Sequence, residues 1–140
     1  MKIQITGIGS YIPALKIHNT DFDKHVFLNE DGSAFAYPND VVISKFKGIT
    51  GIEQRRYAED HLNSSDLAFF ASEKAIEDAK IDPETIDYII YAHNFGDVNH
   101  GTIQTDTLPS LATRVKNKLQ IKNPKCVAYD IVFGCPGWIE

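Results

Sequence analysis

The 140-residue chain is long enough for one domain with a sizeable core, and its 43% hydrophobic and 24% charged residues are ordinary for a globular protein. Its net charge of −5 at pH 7 argues against a general nucleic-acid-binding protein, which would normally have a basic surface. The sequence contains no apolar run of membrane-spanning length and no signal-peptide pattern at its start, so we expect a cytoplasmic protein with no membrane association. Its two cysteines do not make a disulfide framework, and their spacing fits no redox or zinc motif.

The first predicted element is a strand over residues 2–9, where apolar and polar residues alternate. It ends at Gly7-Ile8-Gly9-Ser10. A G-x-G after a first strand is typical of dinucleotide-binding proteins, but Pro13 stands where the following helix should run. We therefore favour a simple glycine turn over a nucleotide site.

Two short helices, residues 19–27 and 40–46, and an extended segment at residues 54–57 are predicted next. The extended segment contains Arg55 and Arg56, the densest positive spot in the chain. These arginines either contact an anionic ligand or acidic partner, or they form a solvated face. The residues alone favour the solvated face.

The next elements alternate in type. Helical spacing over residues 66–80 follows the helix-start signal Asn63-Ser64-Ser65-Asp66, and a strand over residues 86–93 carries apolar residues on both faces. Residues 94–107 form a long polar loop, which in a compact domain is usually functional or mobile. A metal site could be drawn from His93, Asp97 and His100, but the spacing matches no ligand pattern, so we expect no metal. A helix over residues 109–119 follows.

The last stretch predicts a strand, a sharp turn and a helix start. Residues 125–132 are short, apolar and β-branched, which predicts a buried strand, and Gly134-Cys135-Pro136-Gly137 follows it. A thiol beside the free N–H groups of a helix start favours the thiolate, which is the nucleophilic form. Cys135 is therefore a candidate nucleophile, although free cysteines are most often buried and structural. Cys126 is interpreted as packing only, and Asp130 as a hydrogen-bonded structural acid.

The order of elements indicates a layered α/β domain with a mixed sheet, since helical connections between strands favour parallel pairing. Five segments, in order and spacing, resemble the N-terminal half of a β-ketoacyl-acyl-carrier-protein synthase III, a condensing enzyme of the thiolase-like superfamily. The segments are residues 5–13, Thr50-Gly51-Ile52-Glu53-Gln54-Arg55-Arg56, the alanine-rich helix at residues 69–80, Pro109-Ser110-Leu111-Ala112, and residues 128–131 leading to Gly134-Cys135-Pro136-Gly137. The resemblance covers the whole chain and implies one N-terminal half-domain over residues 1–140.

The resemblance also implies a function. The cysteine matching Cys135 accepts an acyl group from coenzyme A or an acyl carrier protein, and a malonyl group on a carrier protein is then decarboxylated and condensed with it. The Cys135 N–H would supply one donor of the oxyanion hole. The second donor, and the histidine and asparagine that assist the chemistry, lie in the family's second half. We therefore expect residues 1–140 alone to be inactive in condensation, without a cofactor of their own, as a truncated piece or isolated domain.

Other site residues follow from the same resemblance. Leu108 matches a position that, in the family's homodimer, reaches into the partner's acyl pocket, although simple core packing is an equal alternative. We expect Leu108, Gly137, Arg55 and Arg56 to contact substrate. A homodimer is expected through the strand at residues 125–132.

Three features depart from the family pattern. Phe133-Gly134 stand where alanines are usual before the nucleophile. Lys45 and Ile49 stand near positions where many members carry a tryptophan and an arginine that contact coenzyme A, which favours a carrier-protein donor. The loop at residues 94–107 is longer than usual. Two rival functions stay open, namely a non-catalytic module that binds an acyl carrier or small ligand, and another cysteine-dependent acyltransferase or thioesterase.

Overall fold

The computed structural model describes residues 2–132 and Gly137. Contacts within it define two compact units, a small unit of Pro13–Glu59 and a large unit that combines residues up to 12 with residues from 60 onward. None of the helices in the described part of the chain has the length and apolar composition that crossing a membrane requires. The boundaries of the predicted half-domain stay a prediction.

The elements in order are β1 (Leu15–His18), a 3₁₀ turn (Asn19–Phe22), α1 (Asn39–Thr50), β2 (Gln54–Tyr57), α2 (Ser64–Ala79), a second 3₁₀ turn (Pro83–Thr85), β3 (Tyr88–His93), α3 (Leu111–Lys118) and β4 (Val127–Val132).

The small unit is an antiparallel strand pair with a helix and an aromatic cluster. β1 pairs with β2, so that Leu15 lies opposite Tyr57. The predicted extended segment is thus confirmed as a strand, whereas its partner β1 was not predicted. The helix predicted over residues 40–46 is confirmed and runs on to Thr50, where Gly51, with φ 69°, ends it. The helix predicted over residues 19–27 is only a 3₁₀ turn.

The large unit is built on two parallel strands connected through α3. β3 and β4 pair in register from Tyr88 opposite Val127 to His93 opposite Val132, which confirms the predicted parallel pairing. The helix predicted over residues 109–119 is confirmed as the slightly shorter α3, and its Leu111, Ala112 and Val115 are at most 2% exposed. These side chains form the centre of the unit's core, together with the buried Ile121 and Cys126.

The strand predicted over residues 2–9 is wrong, because residues 2–13 form no strand. This segment lies along α2 instead. The Ile8 N–H donates to Asp78 Oδ2 at 2.9 Å, and Lys74 Nζ donates to the Ser10 carbonyl at 2.9 Å. The alternating isoleucines stay exposed, Ile3 by 84%. A strand needs a neighbouring strand to take its backbone hydrogen bonds, and none lies beside this segment in the described part of the chain.

The prediction of a buried last strand is also wrong for this chain. β4 begins at Val127 rather than at residue 125, and Val127 and Tyr129 are 48% and 41% exposed. The neighbouring β3 residues Tyr88 and Ile90 are likewise exposed, although both faces of β3 were expected to be covered. By the strand register, Tyr88, Ile90, Val127 and Tyr129 lie on the same face of the strand pair, so this apolar face is exposed to solvent.

Two glycines allow the N-terminal segment to lie directly on α2. A Cβ added at Gly9 would overlap the backbone of Ala71 and Ala75, and one at Gly7 would overlap that of Ala75 and Ala79. Only a residue without a side chain permits such a close backbone approach.

We expect Gly9→Ala to destabilise the large unit by about 2 kcal/mol, because the helix and the segment must move apart. Thermal unfolding followed by circular dichroism measures the effect. Gly48→Ala is the matched control, since a Cβ at this α1 position meets nothing within 4 Å and should be neutral or stabilising. Equal melting temperatures for Gly9→Ala and the parent protein would contradict the close contact.

Candidate functional site

His93 and Asp130 form a buried pair near the carboxyl ends of β3 and β4, which meet at one edge because the strands are parallel. His93 Nε2 lies 3.0 Å from Asp130 Oδ2, and both side chains are at most 10% exposed. The Gly96 N–H donates to His93 Nδ1 at 2.9 Å. Nδ1 is therefore the acceptor nitrogen, so that Nε2 carries the proton and donates it to the carboxylate. Both ring nitrogens are thus engaged, and the imidazole is held in one orientation.

Asp130 also anchors the start of α3. The N–H of Leu111 donates to Oδ2 and that of Ala112 to Oδ1, both at 2.7 Å. A carboxylate is favoured here because the first amides of a helix have no partner within the helix and carry its positive dipole end. With His93 and two amides on its two oxygens, Asp130 is the hydrogen-bonded structural acid that the sequence predicted.

A second buried carboxylate, Asp97, ties the loop after β3 to the start of α2. Its side chain accepts the Ser65 N–H at 2.8 Å and the Ser65 hydroxyl at 2.6 Å. The neighbouring Ser64 hydroxyl lies 2.7 Å from the Tyr91 hydroxyl, and burial raises the pKa of Tyr91. Both serines of the predicted helix-start signal therefore connect α2 to β3 and its loop.

The three residues from which a metal site could be drawn do not converge. His93 bonds to Asp130 and Asp97 bonds to Ser65, whereas the exposed His100 lies 3.5 Å from Asp60. Among residues 2–132 and Gly137, no group of three histidine, cysteine or acidic side chains is arranged to hold a metal ion.

Arg114 of α3 contacts both acids of the loop between β3 and α3. Its Nη1 lies 2.9 Å from Asp97 Oδ2 and its Nη2 lies 2.7 Å from Asp106 Oδ1. The hydrogen bond from Arg114 lowers the pKa of Asp106, and the same bond raises the pKa of the arginine. The sequence prediction missed this residue, because its partners are distant in the chain. The local sequence gives no signal for these contacts, since Arg114 lies in the mixed segment Thr113-Arg114-Val115-Lys116.

The side chain of Leu108 is 83% exposed. The alternative that Leu108 simply packs in the core of this chain is therefore wrong. Its backbone is nonetheless held, since its carbonyl accepts from Arg114 at 3.1 Å and its N–H donates to Asp106 at 3.3 Å. A contact of Leu108 with an acyl group stays a prediction.

Arg55 and Arg56 already bond to acceptors of the small unit. Arg55 donates to Asn19 Oδ1 at 2.6 Å and lies over the rings of Phe22 and Phe46, 5.8 and 5.3 Å from their centroids. Arg56 donates to the Pro13 carbonyl at 3.0 Å. Arg55 is half-buried, so the solvated-face alternative does not describe it. Substrate contact by either arginine stays a prediction.

The predicted nucleophile Cys135 lies outside the residues that the structure describes. Within its motif, Gly137 is described and is buried. A Cβ at Gly137 would lie 3.1 Å from Ile131 Cγ2 and 3.4 Å from Ala92 Cβ, so this glycine lies against both parallel strands. Cys126 is 4% exposed, which confirms its interpretation as a packing residue.

Lys45 and Ile49 line an apolar cleft in the small unit. The cleft has a volume of about 200 Å³, and Tyr37 and Val41 also line it. Lys45 Nζ lies 5.0 Å from the centroid of the Tyr37 ring. The cleft therefore presents apolar surface and one cation.

Comparison with known proteins found no matching family model. Individual relatives do match over nearly the whole chain. It is 34% identical over 139 residues to β-ketoacyl-[acyl-carrier-protein] synthase III 1 of Vibrio cholerae, and 35% identical over 139 residues to β-ketoacyl-[acyl-carrier-protein] synthase III of Staphylococcus haemolyticus. Each alignment covers 99% of this chain and 37% of the relative, so the chain spans little more than a third of the length of the enzymes it matches.

Solved structures give the same result. A 3-oxoacyl-[acyl-carrier-protein] synthase III from Aquifex aeolicus superposes with a TM-score of 0.67 at 30% identity, over 96% of this chain and 36% of that protein. The β-ketoacyl-[acyl-carrier-protein] synthase III from Thermus thermophilus superposes with a TM-score of 0.67 at 28% identity, over 96% of this chain and 35% of that protein. By sequence and fold together, the chain is similar to the N-terminal part of the β-ketoacyl-[acyl-carrier-protein] synthase III enzymes, which are thiolase-like condensing enzymes.

Proposed function

We propose that this chain supplies the nucleophile-bearing part of a β-ketoacyl-acyl-carrier-protein synthase III-like acyltransferase, with Cys135 as the nucleophile. One observation carries the proposal, namely 34% identity to such a synthase over 99% of the chain. The motif Gly134-Cys135-Pro136-Gly137, which follows β4 in the sequence and predicts a helix start, supports it, because a cysteine in such a position is favoured as thiolate.

The proposed reaction has two steps. The Cys135 thiolate attacks the carbonyl carbon of an acyl thioester, an S–C bond forms, and the donor leaves as a thiolate that takes up a proton. A malonyl thioester then loses CO₂, and the resulting carbanion attacks the acyl-cysteine carbonyl. The new C–C bond forms as the C–S bond breaks, which returns the Cys135 thiolate. Stabilising the negative charge on each carbonyl oxygen requires preorganised donors, of which the Cys135 N–H would be one.

The described residues support the proposal by holding rigid the strand pair that precedes the cysteine. Asp130 fixes β4 to α3, and His93 fixes β4 to the loop after β3. Because both ring nitrogens of His93 are engaged in these bonds, we assign it a positioning role rather than a role in proton transfer.

The acyl donor is proposed to be an acyl carrier protein, with acyl-coenzyme A as the competing donor. The cleft beside Lys45 favours the carrier protein, because it offers no tryptophan or arginine to a nucleotide. The malonyl donor would likewise be bound to a carrier protein. Leu108, Gly137, Arg55 and Arg56 are proposed to contact substrate, within a homodimer that works in the cytoplasm.

Intact-mass spectrometry tests the proposal on the protein expressed from its complete reading frame. Incubation with acyl-carrier protein or with acyl-coenzyme A should add the mass of one acyl group. Cys135→Ser should abolish the adduct, and Cys126→Ser, the matched control at the other cysteine, should retain it. The faster donor identifies the preferred carrier.

Three outcomes overturn the proposal in different ways. An adduct that persists in Cys135→Ser would exclude Cys135 as the nucleophile. The absence of any adduct, together with tight binding of the carrier protein, would favour a non-catalytic binding module. An adduct that water removes, with no condensation when a malonyl thioester is added, would favour a thioesterase.

A further inference from the structure

The loop between β3 and α3 is closed at a neck. The N–H of Asp97 donates to the carbonyl of Asp106 at 3.0 Å, and the N–H of Asp106 donates to the carbonyl of Asp97 at 2.8 Å. Gly96, with φ 79°, lets the two sides approach, because a Cβ there would lie 2.7 Å from the Asp106 carbonyl oxygen. Residues 98–105 extend beyond this neck and include Ile103, which is 99% exposed.

Arg114 holds this neck with four hydrogen bonds. Two go to the carboxylates of Asp97 and Asp106, and two go to backbone carbonyls, from Nε to Pro109 at 2.9 Å and from Nη2 to Leu108 at 3.1 Å. The arginine side chain is only 18% exposed. A half-buried guanidinium with two carboxylate partners has a fixed orientation, because its planar N–H donors form good hydrogen bonds only at specific angles.

The anchor of the neck is itself buried. Asp97 is 3% exposed, and the Ser65 bonds connect it to the first turn of α2. The neck is therefore joined to α2 through Asp97 and to α3 through Arg114. Residues 106–109 follow from this anchored point, so that the exposed Leu108 side chain projects from a backbone held on both sides.

The geometry points to Arg114 as a positioning residue that determines acyl-chain selectivity. The inference rests on the proposed function, in which Leu108 lines an acyl site. An apolar side chain limits the length of a bound acyl chain only if its backbone is fixed, since a mobile side chain moves aside. Arg114 fixes that backbone through the Leu108 and Pro109 carbonyls and through the loop neck.

Steady-state kinetics with acetyl, hexanoyl and decanoyl thioesters tests this in the protein expressed from its complete reading frame. Arg114→Gln should change the ratio of kcat/KM between the shortest and longest primers by about tenfold, mainly through KM. Leu108→Ala should shift the ratio in the same direction, and the double variant should shift it no further than the larger single effect. Arg114→Lys, which keeps the charge but not the fork of donors, should give an intermediate shift.

Lys118→Gln is the matched control. It also removes one positive charge from α3, and with it the ion pair to Asp66 at 2.6 Å, but it leaves the neck intact. The primer ratio of this variant should equal that of the parent protein. An equal fall of kcat/KM for all primers in Arg114→Gln, or additive effects with Leu108→Ala, would overturn the inference and leave Arg114 a merely structural residue.

Hydrogen–deuterium exchange separates this inference from the proposed function, since it needs no activity. In Arg114→Gln the amides of Asp97, Asp106 and Leu108 should exchange faster, while those of α2 keep their protection. Unchanged exchange at these amides would show that Arg114 does not hold the loop. Faster exchange with an unchanged primer ratio would show that Arg114 holds the loop but does not determine acyl-chain selectivity. A parent protein that transfers no acyl group would instead overturn the proposed function.

Discussion

Iodoacetamide at neutral pH should label Cys135 at least about tenfold faster than Cys126. The expected difference has two causes. The sequence predicts Cys135 at a helix start, an environment that favours the reactive thiolate. Cys126 is only 4% exposed, so the reagent cannot reach it without local unfolding. Peptide mapping after a time course of alkylation measures both rates in one sample.

Two variants serve as controls for the alkylation. Cys135→Ser should remove the fast phase and leave slow labelling of Cys126, and Cys126→Ser should leave the fast phase unchanged. Labelling of the two cysteines at one slow rate, which rises only in denaturant, would mean that Cys135 is a buried structural thiol. That result would remove the chemical basis of the proposed acyl transfer.

Asp130→Asn should lower the free energy of unfolding of the large unit by about 3 kcal/mol. The substitution replaces one carboxylate oxygen by an NH₂ group, which cannot accept the α3 amides or the His93 proton. A buried donor without an acceptor then bears the full cost of desolvation, and the helix start loses its negative partner. Urea denaturation followed by circular dichroism measures the change.

The matched control for this loss is Asp82→Asn. Asp82 also accepts an N–H at a helix start, that of Glu84, but it does so on the surface, and asparagine caps as well as aspartate. Its free energy of unfolding should stay within about 0.5 kcal/mol of the parent value. A loss below about 1 kcal/mol for Asp130→Asn would show that the His93–Asp130 pair is not a main support of the strand pair.

Helices and their inward faces were predictable where the pattern was long. α2 has Asn63 and Asp66 at its start, and α3 repeats apolar residues at helical spacing, so both formed where the sequence placed them. The parallel pairing of β3 and β4 followed from the helix between them. The prediction of a first strand failed because alternation of apolar and polar residues shows which residues share a face, but not whether a partner strand is present.

Polar networks were not predictable in the same way. Asp130 stood out because an acid within an apolar strand needs a partner, but Arg114 gave no comparable signal. Its contacts with Asp97 and Asp106 join residues that only the return of the chain from β3 to α3 brings together. For Leu108 the sequence left core packing and contact with an acyl pocket equally open, and its 83% exposed side chain excludes the first.

Local order along the chain was sufficient to assign the layered α/β class, the parallel strand pair and the cysteine motif after its second strand, because periodicity and turn chemistry act over a few neighbouring residues. Folding in three dimensions decided which face of that pair is open, which acids hold α3, and that Arg114 fixes the loop carrying Leu108. These features depend on groups many positions apart, whose hydrogen bonds exist only once the strands and helices have packed.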